Sequence, residues 1–402
     1  MRVLLVAMPG SVHTARWIDQ IAGEGWDLHL SPSIWQAPHP GLKGITVHTT
    51  VVGRRGADSP ASLKVRGLWP FRRGSEAVYW LANRSTAQRW LRPATRLADL
   101  IRRIRPDVVH SLEFQGAGYL VLEAAEQLGG RMPPWVATNW GSDVYLFARL
   151  SAHRERVRSV LSRCDFYSCE TERDVKLARG LGFRGEVWPV VPNSGGLDLA
   201  RCEGLRQGAA STRRLVLLKG YQHFAGGALV GLRALARCAD ALSGYRVAVY
   251  SATPEVALAS ELFSSETGIP TDIVGACSHD AMLSLFGRAR IYLGLSIADA
   301  IPTSLLEAMA MGAFPIQSAT SGADEWIVDG ESGLVVPPED PEVVESAVRI
   351  ALGDDALVDR AGAINIETAR HRLDVGSIRE KVVASYRRAA EGRAARLRGS
   401  SC

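Results

Sequence analysis

The chain is 402 residues long and 47% hydrophobic, with a formal net charge of +5 at pH 7. This length exceeds one ordinary hydrophobic core and predicts two domains. Mean hydropathy is +0.01, and no run of about eighteen apolar residues occurs, so we expect no membrane-spanning helix and a cytoplasmic location, with peripheral membrane contact at most. The six cysteines lack the spacing of metal ligands and are expected to be reduced thiols.

Short apolar runs alternate with amphipathic stretches, a pattern that predicts α/β layers with parallel strands. The first half contains predicted strands at 3–7, 28–30, 46–52, 108–111, 135–138, 166–168 and 187–191. A second series follows at 215–219, 246–250, 271–274, 291–295, 314–317 and 333–336. Between them, 192–196 and 207–211 are typical of a flexible connection. We therefore expect a first domain at 1–195, a second at 212–376, and a final helix with a basic tail at 377–402.

Polar residues lie at the ends of three predicted strands of the first domain. They are Gly10 and His13, then His110 and Glu113, then Asn139, Trp140 and Asp143. Because α/β sheets bind ligands at the carboxyl ends of their strands, His110 and Glu113 are candidate contacts. The loop at Gly10 lacks G-x-G-x-x-G spacing, which disfavours a dinucleotide cofactor. His13 also fits a surface residue behind a Ser11 helix cap, and His110 also fits a locally hydrogen-bonded histidine.

The segment from Arg54 to Arg105 carries thirteen basic residues against three acidic ones. Trp69, Phe71, Trp80 and Trp90 are interleaved with these charges. This composition fits an anionic membrane surface or a phosphorylated, lipid-linked acceptor, and it fits equally well a solvated arginine-rich helix face over buried tryptophans. Nucleic-acid binding is the competing function, but no recognised nucleic-acid module accompanies the charges, so we expect none.

Lys219 ends a predicted strand in the second domain, and Gly220 and His223 follow it in a glycine-rich loop. Lys219 is a candidate contact for an anionic ligand, with a solvated lysine at a strand end as the alternative. Ser304 and Glu307 also fit a capping box, in which Glu307 only returns a hydrogen bond to the helix start.

Two carboxylates, Asp299 and Glu307, lie eight positions apart across a loop and the first turn of a helix predicted at 303–311. Strand, loop and helix start converge there, and free amides around Thr303 and Ser304 can hold a phosphate. Carboxylates beside them can accept hydrogen bonds from sugar hydroxyls. The pattern therefore indicates a ligand with both groups, a sugar nucleotide.

The run from Asp299 to Ile316 resembles the E-x7-E signature of the retaining GT-B glycosyltransferases of family 4, with Asp299 in place of the first glutamate. A small-residue turn at 321–327 and a turn and strand at 329–337 resemble the family's next elements in order. The resemblance implies the GT-B fold: two Rossmann-like doubly wound domains facing a cleft, with the final helix crossing back to the first domain.

The resemblance also implies residue roles. Glu307 would hold the nucleotide ribose, Asp299 the donor sugar, and Lys219 with the helix amides the diphosphate. On this basis catalysis is assigned to Asp299, Lys219 and Asp143, and donor binding to Glu307, Ile301, Pro302, Thr303, Ser304, Gly220, His223 and Gly10. The acceptor-side candidates are His13, His110, Glu113, Asn139 and Trp140. We expect no metal and no cofactor, because the nucleotide sugar is itself a substrate.

Two positions depart from the family pattern. Trp140 replaces a histidine that many members place near the reacting sugar, and an indole cannot accept a proton, which indicates an altered acceptor site. The family's second lysine after the Lys219 strand is missing, and His223 or backbone amides could compensate. The absence of a D-x-D motif agrees with metal-free chemistry.

The sequence thus predicts a metal-independent, retaining glycosyltransferase that moves a sugar from a nucleoside-diphosphate-sugar to an acceptor hydroxyl. The acceptor would be a polysaccharide, a glycolipid or a natural product. Two alternatives stay open: a GT-B sugar-nucleotide epimerase, and a non-catalytic sugar-nucleotide-binding pseudoenzyme.

Overall fold

The computed structural model describes residues 1–49, 63–66 and 92–399. They belong to two compact units, Met1–Gly195 with Ile378–Cys402, and Gly196–Ser377. Gly196 and residues 207–211, predicted as part of a connection, are grouped with the second unit. Trp69, Phe71, Trp80 and Trp90 of the basic segment lie outside the described residues, so the role of that segment stays a prediction.

The first unit is built on a parallel sheet of eight strands. These are β1 Arg2–Ala7, β2 Asp27–Pro32, β3 Ile45–His48, β4 Lys64–Arg66, β5 Val108–Leu112, β6 Trp135–Thr138, β7 Phe166–Ser168 and β8 Glu186–Val187. They pair in the order β4-β3-β2-β1-β5-β6-β7-β8. Central strands are covered on both faces, which explains their uninterrupted apolar runs. The strand predicted at 187–191 is wrong beyond Val187, and β4, whose ends are charged, was not predicted.

Helices flank this sheet. They are α1 Val12–Ala22, α2 Pro93–Ile104, α3 Tyr119–Leu128, α4 Ser142–Tyr145, α5 Ser151–Arg163 and α6 Glu172–Gly180. In α2, Leu97, Leu100, Ile101 and Ile104 are buried. This spacing of three and four residues places one apolar stripe toward the core.

The second unit is built on a parallel sheet of six strands. These are β9 Leu215–Lys219, β12 Arg246–Tyr250, β13 Thr271–Val274, β14 Ile291–Gly294, β15 Phe314–Ser318 and β16 Leu334–Val336, in the order β13-β12-β9-β14-β15-β16. A separate antiparallel hairpin joins β10 Gln222–His223 and β11 Gly226–Gly227. The two central strands, β9 and β14, end at the edge of the sheet where the sequence placed the candidate ligand.

Helices cover both faces of the second sheet. They are α7 Leu199–Leu205, α8 Ala228–Arg237, α9 Pro254–Thr267, α10 His279–Arg288, α11 Thr303–Ala310, α12 Pro341–Gly353 and α13 Asp355–Arg372. Side chains alternate along the strands, so Val216 and Leu218 pack with α8, α9 and α12. Leu217 and Tyr292 on the other face pack with α10 and α11.

The final helix, α14 Val375–Gly399, starts two residues earlier than predicted. From Ile378 onward it belongs to the first unit, where Ile378, Val382 and Tyr386 are buried with Trp17 and Trp188. Its apolar face thus completes the core of that unit. No helix of the described residues is long and apolar enough to cross a bilayer.

Candidate functional site

The ammonium group of Lys219 lies against the carboxylate of Asp299 in the second unit. Lys219 ends β9 and Asp299 follows the neighbouring strand β14, so parallel pairing brings both to one edge of the sheet. Lys219 Nζ is 3.4 Å from Asp299 Oδ2, and the two side chains are 9% and 20% exposed. Asp299 Oδ1 accepts a hydrogen bond from the Ala300 amide at 2.9 Å. Two residues that the sequence assigned to one site therefore lie in direct contact.

The hairpin of β10 and β11 is hydrogen-bonded to the loop that carries Asp299. The carbonyl of Phe224 accepts from the amides of Ile297 and Ala298 at 2.9 and 3.0 Å. The amide of Gly227 donates to the carbonyl of Leu295 at 2.8 Å. The hairpin and the loop thus hold each other in place beside Lys219.

Gly220 and His223, both predicted donor contacts, lie in this region. The Gly220 amide donates to a β12 carbonyl at 2.8 Å, and a Cβ atom at Gly220 would lie 2.7 Å from Ala252 Cα. Glycine is required there because β9 and the segment after β12 approach closely. His223 Nδ1 accepts from the Ala225 amide at 3.1 Å, and its ring stacks on Tyr221 at 5.2 Å. Tyr221 in turn lies 5.2 Å from Lys219 Nζ.

The first turn of α11 presents amides at the same edge of the sheet. Pro302 is the N-cap, and Leu305 N donates to Pro302 O at 2.9 Å, so the amides of Thr303 and Ser304 are helix-terminal donors. The Ser304 hydroxyl lies 2.8 Å from the buried Tyr292 hydroxyl, so Ser304 offers a ligand its amide. The capping-box alternative is wrong, since Ser304 is the second helical residue and not the cap. Ile301 packs its side chain into the core, which leaves its backbone for any donor contact.

Glu307, on the buried side of α11, contacts His279. Glu307 Oε1 is 2.8 Å from His279 Nε2, and the side chains are 9% and 43% exposed. His279 is the first residue of α10, whose N-cap is Ser278. Sequence reasoning missed His279, since 28 positions separate it from Glu307. The available signal was its place at a helix start just after the carboxyl end of β13.

In the first unit, His13 and Trp140 lie side by side, with ring centroids 5.5 Å apart. Ser11 caps α1 and accepts from the His13 amide at 3.2 Å, which confirms the cap interpretation. Trp140 follows β6, and its amide donates to Asp143 Oδ2 at 2.6 Å. Gly10 precedes the cap in a tight loop, where a Cβ atom would lie 3.0 Å from the carbonyl oxygen of Ala37. Trp140 stands where many family members have a histidine, and the ring of another histidine, His13, lies next to it.

Asn139 and Asp143 hold the backbone of the loop after β6. Asn139 is 0% exposed; its side-chain amide donates to Asp174 at 2.8 Å and its oxygen accepts from the Gly141 amide at 2.9 Å. Asp143 is 3% exposed, and burial, with the Glu113 carboxylate nearby, raises the pKa of Asp143 to about 8. These contacts direct the Asp143 carboxylate to the Trp140 amide of its own loop, and the catalytic assignment of Asp143 stays a prediction. Asn139 is likewise buried beneath the loop.

Glu113 is a capping residue of the turn Phe114–Gly118. Its backbone has φ 76°, and its carboxylate accepts hydrogen bonds from the amides of Gly116 and Ala117, at 2.7 Å for Gly116. The side chain is buried, and burial raises the pKa of Glu113. The carboxylate is thus turned back on its own chain, and the assignment of Glu113 as an acceptor contact stays a prediction.

His110 is buried inside the first unit. Its Nδ1 contacts the Tyr386 hydroxyl of α14, and its Nε2 contacts the Thr138 hydroxyl. Burial lowers the pKa of His110 to about 3, so the ring is neutral. Both ring nitrogens are engaged, as the alternative of a locally hydrogen-bonded histidine predicts, and the assignment of His110 as an acceptor contact stays a prediction.

The described residues also include cysteines and possible metal ligands outside the candidate site. Five cysteines there are free thiols, and only Cys277 is exposed. Within residues 1–49, 63–66 and 92–399, no group of three or more His, Cys, Asp or Glu residues is placed to hold a metal ion.

Two family models match the chain. Residues 62–169 match the family described as glycosyl transferase 4-like, and residues 261–368 match the glycosyl transferases group 1. The first match includes His13's neighbour Trp140, and the second includes His279, Asp299 and Glu307.

Solved structures share the fold at low sequence identity. Sucrose-phosphate synthase from Thermosynechococcus elongatus superposes with a TM-score of 0.68 at 16% identity, over 96% of this chain and 98% of that chain. HepE of Anabaena, in complex with UDP and glucose, gives 0.67 at 12% identity, over 96% and 99%. A glycosyltransferase from Rickettsia africae gives 0.66 at 14% identity, over 96% and 98%.

A curated relative is an exopolysaccharide phosphotransferase of Streptomyces coelicolor. It is 28% identical over 204 residues, which are 48% of this chain and 20% of the relative. The chain therefore spans about a fifth of the length of that relative.

Proposed function

The chain belongs to the group 1, family 4-like glycosyltransferases, transferases of the GT-B fold, and on that premise we propose that it moves a sugar from a nucleoside-diphosphate-sugar to an acceptor hydroxyl. The proposal includes retention of the anomeric configuration and independence from a metal ion. The donor binds in the second unit.

The observation that carries the proposal is the Lys219–Asp299 contact beside the first turn of α11. Lys219 Nζ is 3.4 Å from Asp299 Oδ2 and largely shielded from solvent. Negative charge grows on the leaving diphosphate as the sugar departs, and a preplaced ammonium stabilises that charge more strongly than water does. The amides of Thr303 and Ser304 add donors aligned with the helix dipole.

Asp299 and Glu307 orient the donor and are not proton-transfer groups in this mechanism. Asp299 holds Lys219 at the phosphate end and faces the donor sugar. Glu307 accepts hydrogen bonds from the ribose hydroxyls, while His279 fixes the rotation of its carboxylate at 2.8 Å. A hydrogen bond to a charged group contributes about 1.5–3 kcal/mol, enough to define the position of the nucleotide.

Uridine donors are the first to test, because HepE, similar to this chain in fold, was solved with UDP and glucose. Oligosaccharides are the first acceptors to test, because the Streptomyces relative is an exopolysaccharide phosphotransferase. The chain matches only 20% of that relative, so the choice of oligosaccharide acceptors is part of the proposal.

The test is turnover of UDP-glucose with an acceptor panel, measured as UDP release, with the anomer of the product read by NMR. Lys219→Met is expected to lower turnover by about 10²-fold or more, as for other preplaced donors to a developing anion. Chelation by EDTA should change nothing. Glu331→Ala, at an exposed glutamate of the same unit, is the matched control.

Each other outcome points elsewhere. Undiminished release and transfer by both Lys219→Met and Glu307→Ala would show that the site is misplaced. Conversion of the donor sugar to its epimer without acceptor would identify an epimerase, and binding without turnover a pseudoenzyme.

A further inference from the structure

A second concave site, a groove of about 670 Å³, lies on the second unit. We name it the arginine groove; Lys219, Asp299 and Glu307 do not line it. It begins at Leu215, the first residue of β9, whereas Lys219 is the last. Four residue steps along a strand cover about 13 Å, so the two sites are distinct.

Topology explains why the groove is there. β13 is an edge strand and pairs with β12. Ala248 of β12 and Val274 of β13 lie on the sheet face that α10 covers. Helix α10 packs over the middle of that face and presents Ala281, Leu285 and Arg288, spaced four and three residues apart, as one wall. Leu215, Ala248 and Val274 line the floor, which is apolar.

The charge of the groove is strongly positive. Arg213, Arg214, Arg246 and Arg288 line it, against one carboxylate, Asp272. Asp272 pairs with Arg246 at 2.8 Å. In the part of the chain that the structure describes, no carboxylate lies within ion-pair distance of the other three arginines. The guanidinium groups of Arg213 and Arg214 donate to backbone carbonyls, so Arg288 is the arginine of the groove whose charge is most available to a ligand.

Arg213 shows that this charge is held in place. It is 6% exposed, and its donors go to backbone carbonyls, including those of Ala289 and Met311 at 3.0 and 3.1 Å. Burial lowers the pKa of Arg213 to about 10. The Asp359 carboxylate attracts this cation without forming an ion pair with it, and an anion in the adjacent space would stabilise the cation further.

We propose that the arginine groove binds a phosphomonoester, with Arg288 and Arg246 contacting the phosphate and the apolar floor contacting the rest of the ligand. Guanidinium groups match phosphate oxygens in geometry and charge. The volume lies in the range of about 300–1,000 Å³ that is usual for small-ligand sites. The phosphate belongs to a free metabolite or to a lipid headgroup, two sources with the same chemistry.

Helix α10 connects the arginine groove to the proposed donor site. Helix α10 carries Arg288 at its last turn and His279, the partner of Glu307, at its first residue. A ligand in the groove thus contacts the helix that positions Glu307.

The test uses the full chain with Lys219→Ala, so that phosphate binding at the donor site is weakened. Glycerol 3-phosphate is titrated by calorimetry, and vesicles containing phosphatidic acid are compared with phosphatidylcholine vesicles by co-sedimentation. Arg288→Glu is expected to weaken the bound probe about tenfold or more, the effect of losing a charge-assisted hydrogen bond. Arg233→Glu, an exposed arginine on α8 across the sheet, makes the same charge change outside the groove and should have no effect.

Arg288-dependent binding of glycerol 3-phosphate supports a free metabolite, and Arg288-dependent binding of the phosphatidic acid vesicles alone supports a lipid headgroup. Binding of neither probe, or equal binding by Arg288→Glu and Arg233→Glu, overturns the proposal. Unchanged melting temperatures of both variants establish that folding is intact, and Arg246→Ala repeats the test at a second position of the groove. None of these outcomes depends on transferase activity, so the proposed function stands or falls separately.

Discussion

Aspartate at position 299 places the carboxylate close to the strand that carries Lys219. The two charged atoms are 3.4 Å apart and mostly shielded, a setting in which removal of either partner leaves an unbalanced charge. Glu307 has a different neighbour, the ring of His279, and a different task. The two acids of the signature are therefore not a dyad. Asp299 contacts the Lys219 ammonium group, and Glu307 contacts the His279 ring.

Replacing His279 with alanine tests the second contact. Glu307 would lose the partner that fixes its carboxylate, so the affinity for UDP measured by calorimetry should fall by about three- to tenfold. His279→Gln keeps a hydrogen-bond donor and should recover part of the loss. His371→Ala is the matched control, because His371 also contacts a glutamate, Glu367, at 2.9 Å but on α13. Wild-type affinity in His279→Ala, with a large loss in Glu307→Ala, would contradict the positioning role.

The buried Asp143 carboxyl makes stability depend on pH. Its pKa is raised from 3.8 to about 8, so between these values the folded chain retains a proton that the unfolded chain releases. Stability from this group is therefore lost as pH rises through that window. His110, with a pKa lowered from 6.5 to about 3, contributes with the opposite sign between those two values.

Asp143→Asn should thus flatten the decline in the free energy of unfolding between about pH 5 and about pH 8. Urea denaturation, followed by tryptophan fluorescence at several pH values, measures this free energy of unfolding. Asp19→Asn, at an exposed site, is the control. A slope identical to that of the wild type would show that Asp143 titrates normally.

At the scale of elements, the strand ends were predictable and the side-chain contacts across the fold were not. Buried parallel strands give continuous apolar runs, so the ends of β9 and β14 followed from the sequence, and Lys219 and Asp299 with them. His110 also ends an apolar run, yet its partner Tyr386 lies 276 positions away on α14. No local pattern encodes that contact. The capping contact of Glu113 was not predicted for another reason, a positive φ that turns its carboxylate back on the chain.

Tyr386 is the polar anchor of α14 in the first unit. Its hydroxyl contacts His110 and accepts from Trp17 Nε1 at 2.9 Å. Tyr386→Phe removes this hydroxyl and leaves buried polar groups unpaired, with an expected loss of about 1–3 kcal/mol in the free energy of unfolding of this unit. Tyr145→Phe, at a partly exposed tyrosine of the same unit, is the control in urea denaturation. Equal midpoints for the two variants would mean that apolar contacts alone hold the helix.

At the scale of the whole molecule, two units with parallel sheets carry different kinds of site. In the second unit, charged groups converge on a helix start, as a diphosphate and a ribose require. In the first unit, three of the predicted acceptor contacts, His110, Glu113 and Asn139, are buried, while His13 and Trp140 are neighbouring rings. The sequence resemblance was therefore most informative about the second unit, where strand ends and a helix start form the candidate site. It was least informative about the first unit, where side chains differ from the family pattern.

The central claim is that the second unit binds a nucleoside-diphosphate-sugar through Lys219 and Glu307. Its most direct test is thermal unfolding of the wild type, Glu307→Ala and Glu331→Ala with UDP-, GDP-, ADP- and dTDP-sugars. We predict that one donor class, at about one hundred times its dissociation constant, stabilises the wild type and Glu331→Ala by about 2.7 kcal/mol, and that Glu307→Ala loses most of this shift. No stabilisation by any donor, or an equal shift in all three proteins, would contradict the account.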